Sequence, residues 1–83
     1  QPRERASRRE LAAVEARVAE LEARVADLVS RLEDPALYAQ ADGPRRAGKL
    51  GRELEEARRE LEVQIECWAE AGDALDVRGA GVP

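Results

Sequence analysis

The side chains in this sequence best equipped for chemistry are its cations, which stand in two groups. Arg45, Arg46, Lys49 and Arg52 follow one another with no acid between Asp42 and Glu53, and Arg5, Arg8 and Arg9 lie near the start beside Glu4 and Glu10. Grouped Arg and Lys displace counterions from a nucleic-acid backbone, and that release supplies most non-specific affinity. Both groups are therefore candidate phosphate contacts. Against this stand a net charge of −4 and a pI of about 4.9, the wrong sign for a domain whose whole surface meets phosphate. A polar hairpin turn and a charged linker also carry Arg and Lys for solvation alone. No aromatic residue is interleaved with the cations, and only Tyr38 is near the second group, so base stacking is poorly supplied. Binding would run through backbone and shape, with weak sequence preference.

Other chemistry is scarcely represented. The chain has no histidine, methionine or phenylalanine and a single cysteine, Cys67, which removes most of the vocabulary of catalysis, metal binding and disulfide scaffolds. The expectation is a non-enzymatic chain with no cofactor and no metal, and with Cys67 a reduced, inert thiol. No apolar run approaches the roughly 20 residues that span a bilayer, and the arginine-rich start lacks the apolar stretch of a signal peptide. These features predict a cytoplasmic setting with no membrane partner.

The elements that must position the cations are written in the apolar spacing. Leu11, Val14, Val18, Leu21, Val25, Leu28 and Leu32 alternate steps of three and four, a heptad repeat with a and d occupied. A second series runs Ala47, Leu50, Leu54, Ala57, Leu61, then Gln64 or Ile65, Trp68, Ala71 and Leu75, with the seam wavering at Gln64. Two such stripes joined by a short connection containing Asp-Pro and Gly-Pro predict an all-α fold, an antiparallel two-helix coiled-coil hairpin with a short helical turn at its tip. The expected divisions are a basic linker over 1–9, a hairpin over 10–75 (helix 10–33, tip 34–45, helix 46–75) and a disordered tail over 76–83. The charged, unpatterned start reads as a piece of a longer protein.

Pairing Leu32 with Leu50 sets Leu28 by Leu54, Val25 by Ala57, Leu21 by Leu61 and Val14 by Trp68, which makes Trp68 a core residue. The same register brings Arg24 towards Glu60, Arg31 towards Glu53 and Glu22 towards Arg58. Within the helices, Glu20 and Arg24, Asp27 and Arg31, and Glu55 and Arg59 stand four apart with the acid first, the better order. Most of the charge is thereby explained as solvated helix surface. A lone two-helix hairpin buries little, so self-association or docking on a parent domain is an expected source of further stability.

At the tip, Asp34-Pro35 is a helix-start signal, because aspartate accepts from free first-turn amides and proline has no amide to leave unpaired. The following PALYA should form a helical turn that folds Leu37 or Tyr38 over the end of the seam. Asp34, Pro35, Leu37 and Tyr38 are thus structural tip residues.

The stretches RRELAAVEARVAELEARV, LEDPALYA and ECWAEAGDAL, spread over about residues 8–75, resemble the C-terminal domain of Uup-type ABC-F ATPases. In that family an L-x-D-P-x-L-Y element sits at the turn and a helix rich in L-x-x-x-L-E ends near a tryptophan. The resemblance implies an antiparallel coiled coil at the end of a protein carrying two ATP-binding cassettes. It also implies association with DNA, and with the ribosome or its rRNA in the wider family. No G-x-x-x-x-G-K-[ST] sequence occurs in the chain, so any ATP site of the parent lies elsewhere. Two functions follow as expectations. One is DNA binding through Arg5, Arg8, Arg9, Arg45, Arg46, Lys49 and Arg52; the other is a spacer or protein-interaction hairpin docking on the parent ATPase domains or the ribosome through an acidic face.

Overall fold

The computed structural model describes the backbone of residues 2–80, with side chains described for Arg5 and for 7–73. Helix α1 spans Pro2–Glu33, a short α2 spans Pro35–Ala39 and α3 spans Gly43–Ala80. At 1.5 Å per residue, the 32 residues of α1 extend about 48 Å and the 38 of α3 about 57 Å. They pack side by side in an envelope of 65 × 15 × 14 Å, with α2 laid against α3. The pairing is antiparallel: Leu32 shares a cluster with Leu50 near the tip, whereas Glu15 meets Trp68 towards the open end.

The heptad stripe explains which face is covered. Leu21 and Leu28 are each 2% exposed, and Leu54 and Ala57 complete the buried core. Val25, Val29, Leu32 and Leu50 pack on Leu28, Leu54 and Ala57, the expected register over these layers. Further from the tip the seam loosens, and Leu11, Val14, Val18 and Leu61 are half-buried. Trp68 is not the core residue the spacing predicts, being 46% exposed with its indole Nε1–H donating to Glu15 Oε1 at 3.1 Å. Two helices cover a seam residue from one side only, and an indole is too large for a layer shared with Val14, so the ring turns out over the flank. Gln64 holds the seam position there, half-buried, and Ile65 is displaced to 45% exposure.

The flanking charges also choose differently from expectation. Glu60 accepts from Arg17, at 2.9 Å from Nε and 2.6 Å from Nη2, and Arg17 Nη1 reaches Glu20 at 3.0 Å. Arg17 and Arg24 occupy the same heptad position one repeat apart, and the long guanidinium arm takes Glu60 on the diagonal. Hydrogen bonding to Glu60, then to Glu20, raises the Arg17 pKa above its ordinary value. Of the intrahelical pairs, Asp27 and Arg31 close at 3.1 Å.

The helices extend beyond the expected bounds. α1 is helical through 2–9, where the charge pattern predicts a linker, because Arg, Glu and Ala are good helix formers and Pro2 suits a first position. α3 begins at Gly43 rather than 46, since Pro44 falls in the first turn, where its missing N–H costs nothing; the Arg46 amide then donates to the Asp42 carbonyl at 3.0 Å. It continues through 76–80, expected as tail, while Gln1 and 81–83 lie outside the described residues.

Candidate nucleic-acid interface

The tip is built by local hydrogen bonds that the sequence specifies. Asp34 is extended, with φ −74° and ψ 117°, and its Oδ1 accepts from the Ala36 amide at 3.0 Å while Pro35 opens α2. Leu37 turns inward and is half-buried, whereas Tyr38 is 54% exposed and its hydroxyl donates to the Leu32 carbonyl at 2.6 Å. Leu37 is therefore the more covered of the two, and Tyr38 ties α2 to the end of α1. The Gly43 amide donates to the Gln40 carbonyl at 3.0 Å, which brings α3 back under α2.

This arrangement puts the second cation group on the first turns of α3. Arg45, Lys49 and Arg52 are spaced i, i+4 and i+7, so they form one stripe on the helix surface. All three are exposed, and among the described residues no ion pair holds any of them. Arg52 lies back towards the start of the helix, its Nη1 3.8 Å from where a Cβ on Gly48 would be. Arg46 is placed differently, with Nη1 donating to Gln40 Oε1 and Nε lying 3.5 Å from Asp42 Oδ2. Its charge serves the turn, so the free positive stripe has three members rather than four.

A hollow of about 440 Å³ opens beside the stripe, lined by Arg31, Arg46 and Lys49, by the acids Asp34 and Glu53, and by Leu37 and Leu50. Arg31 is a tip cation to which residue spacing assigns ion pairing alone. Its place at the last turn of α1, directly before the Asp-Pro signal, is the clue that could have found it.

Arg5, Arg8 and Arg9 are exposed and share one face of α1 by their i, i+3 and i+4 spacing. Antiparallel pairing keeps them apart from the tip. From Arg9 to the end of α1 at Glu33 is about 36 Å at 1.5 Å per residue. Between the ends, α3 carries seven glutamates from Glu53 to Glu70 against Arg58 and Arg59. The negative total charge therefore resides along the hairpin body, and the tip is locally positive.

The described residues contain no helix long and apolar enough to cross a membrane. Comparison with protein families matches residues 3–71 to the model of the ABC transporter C-terminal domain. Searches of curated proteins and of solved structures found no match.

Proposed function

The chain belongs to the ABC transporter C-terminal domain family, and from that premise we propose that it is a non-enzymatic DNA-binding module whose tip grips the phosphate backbone. The observation that carries this reading is the exposed stripe of Arg45, Lys49 and Arg52, three cations free of ion pairs in a molecule rich in acids. Amides at the start of α3 add positive partial charge at the same end. Arg46 and Arg31 stand close by, held by Asp42 and Asp27, and lend charge rather than free donors. The LEDPALY tip supports placing the parent among Uup-like ABC-F ATPases, cytoplasmic proteins whose ATP sites would lie outside this chain.

Binding of this kind is sequence-tolerant, since phosphate contacts orient a protein but carry no base information. Fluorescence anisotropy with duplex, branched and single-stranded DNA over a range of salt tests it. Three phosphate contacts predict a log-log salt slope of about −2.7 on duplex. No binding at low salt would dismiss the reading, and an rRNA helix bound in preference to every DNA would redirect it to the ribosome. The second reading, a spacer or protein-interaction hairpin docking on the parent ATPase domains, draws on the net charge of −4.

A further inference from the structure

The two flanks of the seam are unlike. On one, Arg17 bridges to Glu60 and closes the surface. On the other, a groove of about 410 Å³ opens between α1 and α3, lined by Glu15, Val18, Glu22, Ile65 and Trp68. Its floor is apolar, and Ile65 and Trp68 remain 45% and 46% exposed. Its rim is acidic. Glu15 uses Oε1 to accept from the Trp68 indole, Glu22 meets no cation among the described residues, and Glu62 follows one turn before Ile65 on the same face.

We propose that this groove takes a basic amphipathic helix of a partner protein, with one bulky apolar side chain entering between Trp68 and Ile65 and Lys or Arg one turn to either side meeting Glu15 and Glu22. Charge complementarity selects this occupant. A second copy packed about a two-fold axis would set this rim against the same rim, bringing glutamates towards glutamates, and like charges facing each other cost affinity. Anionic lipid and nucleic acid are repelled by the same rim. A half-exposed tryptophan in a concave apolar site is the kind of anchor that dominates interface energetics, and an apolar stripe laid in a groove is a recurrent way of recognising a helix. The site is remote from the tip, so it stands or falls separately from DNA binding.

Trp68 is the chain's single tryptophan, which makes its emission a direct report on the groove. The probe is a designed peptide of about 18 residues, long enough for partial helicity, with leucine at i, i+3, i+4 and i+7 and lysine flanking that stripe. Its control has every lysine replaced by glutamate. The lysine peptide should shift Trp68 emission to the blue and bind at least about tenfold tighter than the control, equivalent to roughly 1.4 kcal/mol. Glu22→Lys, with helical content checked by circular dichroism, should narrow that preference; Ile65→Ser should weaken binding; Arg45→Glu with Lys49→Glu should leave it unchanged. The proposal is overturned if neither peptide alters the emission, if both bind equally, or if sedimentation shows a second copy of the chain covering Trp68.

Discussion

Gly43 marks the tightest point of the tip. It is buried where α3 starts, and a Cβ there would run into the Leu37 carbonyl oxygen and come within 3.1 Å of the Tyr38 Cα. Both obstacles are backbone, so Gly43→Ala must push α2 away, and a loss of about 1–3 kcal/mol in urea unfolding is expected from overpacking. Tyr38 gives a gentler test, because its hydroxyl bond to the Leu32 carbonyl lies at the surface, where water can replace it. Tyr38→Phe should cost about 0.5 kcal/mol, the low end of the range for a hydrogen bond, and loss of more than a typical bond would show that the tether organises the whole tip. Residue types alone announced Asp34 and Pro35, since capping chemistry is local. They did not distinguish Leu37 from Tyr38, because which side chain turns inward depends on how α2 meets α3.

At the scale of the helices, burial is concentrated near the tip and thins towards the open end. Leu28, at 2% exposure, packs with Leu54 and Ala57, so Leu28→Ala should destabilise by about 2–5 kcal/mol, the range for emptying a leucine site. Ile65→Ala should stay within about 0.5 kcal/mol, as for exposed positions without special contacts. Chemical denaturation of the two variants compares them directly, and equal losses would mean that Ile65 belongs to the core. Heptad spacing located Leu21, Leu28 and Leu54 because it marks the buried face, and the short connection selects which turns of the two stripes meet. Trp68 satisfied the same spacing and still turned out, because spacing ignores the volume of the facing residue. The start of α1 was misplaced at residue 10 for a related reason: apolar periodicity reports a buried face, whereas a charged segment of good helix formers needs none to continue α1 from Pro2.

The whole molecule is a rod 65 Å long with one group of exposed cations at the tip, a second near the open end and glutamates along its body. If DNA engages only the tip, converting Arg45, Lys49 and Arg52 to alanine should remove most of the salt slope, because every phosphate left unneutralised lowers it by about 0.9. Converting Arg5, Arg8 and Arg9 should change it little, and an anisotropy titration in which both triples weaken binding equally would require two separated phosphate tracks. The sequence by itself determined the helical hairpin, its register near the tip and the capped turn. Those features follow from period, capping and chain reversal, which are properties of neighbours along the chain. Tertiary structure alone decided that Arg46 is held by Gln40 and Asp42 while Arg45, Lys49 and Arg52 stay free, and that Arg17 rather than Arg24 takes Glu60. It alone opened the groove at Trp68. Except for the Asp42–Arg46 contact, which is an i, i+4 spacing, each of these depends on side chains brought together by the fold, and residue spacing does not contain them.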